Sequence, residues 1–318
     1  MISCPAAQED IPKNAEKMTR PNFFLVGAQK CGTTALSEYL RSHPNVFITR
    51  PKEPHFFAED FGNYRPYRTL DRYLALYRDC SPNHRAVGEA SPIYICSKVA
   101  VRNIHEFNSR AKIIAMLRNP VDLLYSLHQQ NTYAFHENVT DFESAWRLQE
   151  ARLKGEHLPP HCGSPLLLQY FEIGRLGAQM KRVYEFFNRD QVHVVLFEDF
   201  VADTARVYAE ALHFLEVPHD GKSEFPPVNE GKARRFPWLW HLFNLAPYSI
   251  REAAEKAAVK LGMPGAKARL KTRLSSKVKR KELSPAFLEE LRENFREDVQ
   301  LLGSLIGHDL NQWIEQSK

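Results

Sequence analysis

The chain has 318 residues, enough for one large α/β domain or two small ones and for a substantial core. Its 43% hydrophobic and 25% charged residues are ordinary for a soluble globular protein, and a net charge of +5 suits an anionic ligand without demanding nucleic acid. No run of 18 apolar residues is present to cross a membrane, and five scattered cysteines without a CxxC pair argue against a zinc site or a disulfide framework.

Residues 1–20 are polar, carry Pro5 and Pro12, and lack the apolar core of a signal peptide. They are expected to be a flexible segment ahead of a single α/β domain spanning 21–318. The missing leader and span point to a cytoplasmic enzyme, or to a piece of something longer.

The stretch from Pro21 to Phe57 organises the rest. Phe23 to Val26 is short and apolar, a buried strand. Gly27-Ala28-Gln29-Lys30-Cys31-Gly32-Thr33-Thr34 follows, with two glycines free to take positive φ and to let backbone approach a ligand. Ala35, Leu36, Tyr39 and Leu40 then recur at helical spacing until Pro44. Strand, glycine loop and helix make a phosphate cradle, with backbone N–H groups and the helix N-terminus aimed at an anion. The loop is not a Walker A loop, because Thr33 stands where that motif needs lysine and Lys30 precedes Gly32 by two residues. Cys31 at a helix N-terminus is either a thiol of lowered pKa or simply a small residue that fits.

After a short strand at Val46-Phe47-Ile48 comes Pro51-Lys52-Glu53-Pro54-His55-Phe56-Phe57. In an extended segment Glu53 and His55 point to one side, as a base and its helper would. The plainer alternative is that Glu53 pairs with Lys52 or Arg50. Together the Lys30 loop and this segment resemble the sulfotransferases that use 3′-phosphoadenosine 5′-phosphosulfate (PAPS), and within them the heparan sulfate branch. The resemblance implies a P-loop-like, mostly parallel β-sheet flanked by helices on both faces. It implies that Lys30, Cys31, Gly32, Thr33 and Thr34 hold the 5′ end of PAPS, and that Lys30, Glu53 and His55 are catalytic.

Further along, Arg72 to Tyr77 reads as a short helix, and Ala86 to Ala90 as a strand leading into Ser91-Pro92-Ile93-Tyr94. That element resembles the family's E-x-(S/T)-P-x-Y segment, with Ala90 where lysine is frequent. Ala111 to Leu117 is a second buried strand, ending in Arg118-Asn119-Pro120, with Pro120 placed to begin a helix. Arg118 at the carboxyl end of a strand offers a planar fork to phosphate, and Ser126 adds a hydroxyl. This pair resembles the family's 3′-phosphate motif, against the plainer reading of a surface ion pair and a tolerated helix serine.

Thr140 to Lys154 reads as one helix capped by Thr140 or Asp141, and Tyr170 to Asn188 as another. A strand from Val192 to Phe197, the acidic pair Glu198-Asp199 and a helix from Thr204 to Leu215 complete the alternation, which predicts a parallel sheet. Residues 229–236 read as a Pro-rich basic loop, and the resemblance implies that Lys232 and Arg234 close over the donor. Residues 237–282 are a variable aromatic and basic insertion. The eight basic residues of 267–281 suit an acidic glycan or anionic membrane, or are a solvated face. Ser284 caps a final helix with Pro285 at its first turn and Leu288, Leu291, Phe295, Val299 and Leu302 on one face.

The expected reaction is transfer of a sulfuryl group from PAPS to a hydroxyl or amine of a glycan or small-molecule acceptor, without metal, nucleic acid or transmembrane partner. The rivals are a P-loop nucleotide kinase or NTPase, and a non-catalytic polyanion- or glycan-binding protein.

Overall fold

The computed structural model describes residues 19–228 and 282–315, together with the backbone of 232–234 and 275–277. Five apolar runs pair as a parallel sheet: β1 (Phe23–Gly27), β2 (Val46–Ile48), β3 (Ala86–Ala90), β4 (Lys112–Leu117) and β5 (Val192–Leu196). Their order is β2-β3-β1-β4-β5. β1 and β3 are buried at every position, as strands covered on both faces must be. Gly88 marks a close approach of β3 to β1, since a Cβ there would lie 2.4 Å from the Phe23 carbonyl oxygen.

From β1 the chain runs outward to β2 and back to β3, then crosses to the other side of β1 for β4 and β5. The direction therefore reverses between β1 and β4. In open α/β sheets that crevice, beyond the carboxyl ends of the strands, is where ligands bind. Two helices begin there: α1 (Thr33–Arg41) after β1, and α4 (Pro120–Ala134), capped by Asn119, after β4. Between these, α2 (Leu70–Leu74) leads into a 3₁₀ turn and α3 (Ala100–Phe107) returns the chain from β3.

Two expected helices are broken. The 140–154 stretch is α5 (Phe142–Arg147) and α6 (Gln149–Leu153), with Asp141 as the cap, its carboxylate accepting from the Ser144 amide at 3.0 Å. The 170–188 stretch is α7 (Tyr170–Gly174) and α8 (Leu176–Phe186), parted at Arg175. The cause is a side-chain exchange. In a continuous helix the Gly177 and Ala178 amides would bond to carbonyls one turn back. Instead Asp298 accepts both, at 2.6 and 2.9 Å, while Gln179 donates to the Glu172 and Ile173 carbonyls at 2.8 and 3.0 Å.

Asp298 belongs to the last helix, α11 (Pro285–Ile306), which follows α9 (Phe197–Ala202) and α10 (Thr204–Phe214). α11 is capped by Ser284 as expected, but Phe287 rather than Leu288 leads its buried face, and Trp313 beyond it is buried. Gly174 and Gly177 let α11 come close: Cβ atoms there would meet the Phe295 ring at 2.5 Å and the Asp298 carbonyl oxygen at 2.2 Å.

The turn after α4 is fixed by a wholly buried cluster. Arg152 donates two bonds of 2.6 Å to Glu137, Tyr170 donates a third at 2.9 Å, and the Asn138 and Val139 amides add two more.

The chain divides into two compact units, one running to residue 226 and resuming at 284, the other covering 227–283. In the second, β6 (Lys232–Arg234) pairs antiparallel with β7 (Ser275–Lys277), so the backbone of 232–234 is strand where the composition suggests loop. A run of Lys and Arg offers no apolar alternation to signal a strand. The rest of the expected insertion up to 281 lies outside the described residues, as do residues 1–18.

Asp298→Ala is expected to strand two amides in the α8–α11 junction and to cost about 1–3 kcal/mol. A urea midpoint unchanged from the parent would show that the broken helix does not need this carboxylate.

Candidate active site

The loop after β1 is bent at two glycines. Gly27 has φ 153° and Gly32 φ 83°, and a Cβ on Gly27 would fall 2.3 Å from Ile95 Cγ2. Gly32 caps α1, so the unpaired amides of the first helical turn face the crevice. Thr33 is buried and Thr34 half-buried behind it. Cys31 is fully buried with its thiol donating to the Gln29 carbonyl at 3.3 Å. Burial pushes that thiol up rather than down, so the small-residue reading holds and a reactive thiolate does not.

Lys30 stands in the bend with φ 63°, and its ammonium donates to Gln130 of α4 at 2.8 Å. Burial first, and then the neighbouring Arg118 guanidinium, hold its pKa below the usual lysine value. Arg118, beyond β4, donates to the Lys30 carbonyl at 3.3 Å, approaches Asp122 at 3.9 Å and lies 4.5 Å over the Phe197 ring. Two cations thus share the crevice with a helix N-terminus, an arrangement that favours a polyanion. Ser126 is half-buried on α4, one turn before Gln130 and hence on the same face of the helix.

Glu53 and His55 meet, but not by the route expected. Neither is extended: their φ angles are 65° and 53°. The segment folds on itself, so that Glu53 lies 3.6 Å from His55 Nε2 on one side and accepts from Lys52 Nζ at 2.6 Å on the other. The Lys52 pairing of the plainer reading is therefore present as well. Lys52 also donates to Thr34 Oγ1 at 3.1 Å, which ties this turn to the glycine loop. His55 is 4% exposed, stacks on Tyr64 with ring centres 5.1 Å apart, and has its pKa pushed down to about 4 by burial.

Beneath the turn lies Glu89, the first residue of the E-x-(S/T)-P-x-Y segment, to which the sequence reading gave no role of its own. Glu89 is wholly buried in β3, where it accepts from Tyr73 at 2.7 Å, Tyr94 at 2.9 Å and Ser91 at 2.6 Å. The Ser91 hydroxyl in turn accepts the His55 amide at 3.2 Å. Burial raises the Glu89 carboxyl to about 7. A charged residue amid a short apolar strand was the available signal.

Lys30 is thus joined to Arg118, and Thr34, Lys52, Glu53 and His55 are joined contact by contact, with Lys30 and Thr34 carried on one loop. Lys232 and Arg234 belong to the second unit, and their side chains lie outside the described residues. Among the described residues no group of three His, Cys, Asp or Glu is placed to hold a metal, and no helix is long and apolar enough to cross a membrane.

A parallel α/β sheet with a glycine turn, a helix N-terminus and two cations at its switch point, faced by a carboxylate and an imidazole, defines an enzyme class that moves a group from a phosphorylated donor. The chain belongs to the sulfotransferase family, whose sulfotransferase-domain profile matches residues 20–303. Members of that family use PAPS. A solved sulfotransferase from Alicyclobacillus acidocaldarius is 30% identical, with a TM-score of 0.69 over 93% of this chain and 100% of that one. Heparan sulfate glucosamine 3-O-sulfotransferase 6 of Mus musculus is 32% identical over 43% of this chain and 42% of its own length. Membrane-associated sulfotransferase kil1 of Dictyostelium discoideum is 23% identical over 69% of this chain and 61% of its own. The chain thus spans about two fifths to three fifths of these curated relatives.

The acid beneath the turn has a pH signature. Glu89 ionises near 4.5 when unfolded and near 7 when folded, so its stabilising effect is complete below 4.5 and lost as pH rises through 7. His55 works oppositely: its contribution is present above 6.5 and lost as pH falls through 4. Glu89→Gln removes only the first. Relative to the variant, the parent is expected to lose on the order of 2 kcal/mol between pH 5 and pH 8. Denaturant midpoints that run parallel in the two proteins would reject a buried neutral acid.

Proposed function

We propose that this chain transfers the sulfuryl group of PAPS to a hydroxyl or amine of a glycan or small-molecule acceptor. The observation that carries the reading is the convergence of Lys30 and Arg118 on the N-terminus of α1, with Glu53 tied to the same loop through Lys52.

In this reading the amides of residues 31–34 and the hydroxyls of Thr33 and Thr34 hold the 5′ end of the donor. Arg118 and Ser126 hold the 3′-phosphate. Glu53 takes the acceptor proton as the acceptor oxygen or nitrogen attacks sulfur. The bond from sulfur to the bridging phosphate oxygen breaks, and Lys30 stabilises the charge left on that oxygen. Glu53 rather than His55 is the base because His55 is almost wholly buried, whereas the Glu53 side chain is 36% exposed. His55, neutral above pH 4, orients the carboxylate or donates to a sulfuryl oxygen. The similarity to a heparan sulfate enzyme favours a glycan among acceptors. The chain works as a cytoplasmic enzyme or as a catalytic portion of a larger protein, without nucleic acid.

Radiolabelled PAPS with a panel of glycans and phenols tests the activity. Lys30→Ala is expected to cut turnover about 100-fold or more while the affinity for adenosine 3′,5′-bisphosphate changes little. Equal turnover would remove Lys30 from the leaving-group role.

Arg118→Ala is expected to weaken bisphosphate binding about 10- to 100-fold, as loss of a charged hydrogen bond does. Unchanged affinity in a calorimetric titration would displace the 3′-phosphate from this strand end. Stabilisation by ATP with Mg²⁺, but not by the bisphosphate, would favour the nucleotide kinase instead.

A further inference from the structure

The Lys52 ammonium stands between the two halves of the site. Its side chain is 16% exposed, and its Nζ donates to Thr34 Oγ1 in the glycine loop at 3.1 Å and to Glu53 Oε1 at 2.6 Å. An ammonium has three N–H groups. Two are engaged among the described residues, and the third is available to an oxygen lying between Thr34 and Glu53. If the glycine loop holds the donor and Glu53 the acceptor proton, that interval is what the transferred group crosses. An ion pair serving only the surface would have no reason to reach a loop hydroxyl 18 residues away, and exposed pairs of that kind contribute little.

We propose that Lys52 is a further catalytic residue of the sulfuryl transfer, binding a non-bridging sulfuryl oxygen in transit and holding the Glu53 carboxylate toward the acceptor. The inference rests on the sulfotransferase reading above. The step balances without further reagents. The acceptor oxygen forms a bond to sulfur and gives its proton to Glu53. The bond from sulfur to the bridging oxygen breaks, and its electron pair leaves with the adenosine bisphosphate beside Lys30. Lys52 exchanges no proton in the step and lends charge to oxygens that neither Lys30 nor Arg118 is assigned. The two lysines divide the work: Lys30 attends the bond that breaks and Lys52 the group that moves.

The test compares Lys52→Met, Lys52→Arg, Glu53→Gln and the Lys52→Met/Glu53→Gln double variant, with the parent and Lys30→Ala as references. The probes are radiolabelled PAPS with de-O-sulfated heparin and the phenol panel, and calorimetric titration with adenosine 3′,5′-bisphosphate. Lys52→Met is expected to lower kcat about 100-fold with bisphosphate affinity within about threefold of the parent. Lys52→Arg should restore at least about a tenth of the parent kcat, since it keeps the charge. In the double variant the Lys52 change should still cost about tenfold beyond Glu53→Gln, because the two groups act on different atoms.

A Lys52→Met enzyme with parental kcat overturns the proposal. So does loss of bisphosphate affinity in step with kcat, which would make Lys52 a strut of the donor loop, and so does a double variant no slower than Glu53→Gln. A parent that transfers no sulfate to any acceptor overturns the sulfotransferase reading, and this proposal with it. A working parent beside an indifferent Lys52→Met defeats this proposal alone.

Discussion

The parallel pairing of β1 with β4 is the constraint from which the site follows. It ends two strands side by side, so the chain emerging from one carries Lys30 and the chain emerging from the other carries Arg118, whose guanidinium bonds the Lys30 carbonyl. Burial first, and the neighbouring Arg118 charge second, hold the Lys30 pKa down. A folded protein keeps such a pair where a bound anion offsets it, and the amides at the start of α1 add to the same field. The β3 side supplies the counterpart, since β2 delivers Lys52, Glu53 and His55 to the same edge of the sheet.

Backbone strain is concentrated in the same place. Lys30, Glu53 and His55 all have left-handed φ angles, between 53° and 65°, a conformation that costs side-chain-bearing residues of order 1 kcal/mol or more each. Local preference does not produce three such residues around one crevice. They are held by contacts from outside: Gln130 on Lys30, Thr34 by way of Lys52, and Ser91 on the His55 amide. The Glu89 cluster beneath, with its three hydroxyl donors, gives the His55 turn a rigid floor.

What the sequence displayed were features generated locally. The strands at 23–27 and 112–117, the Pro120 and Ser284 helix starts, and the glycine loop were legible because apolar runs, caps and glycines carry their geometry with them. What it hid were features set by distant partners. Asp298 breaks the 170–188 helix from more than a hundred residues away, and no property of that segment announces it. Glu53 and His55 were paired from an alternation that does not exist; they meet because the turn curls. Lys52 looked like an ordinary partner for Glu53 until Thr34 was seen on its other side.

The cluster of Glu137, Arg152 and Tyr170 carries an implication for how this protein can change over generations. Exchanging such a buried pair for well-fitted hydrocarbon is commonly neutral or favourable, yet removing one member strands the other charge and costs about 3–5 kcal/mol. Arg152 and Glu137 are both wholly enclosed, so no intermediate can hydrate the orphan. Lineages arriving here through single substitutions face a valley on every side. A route out of the triad must therefore change both charges together.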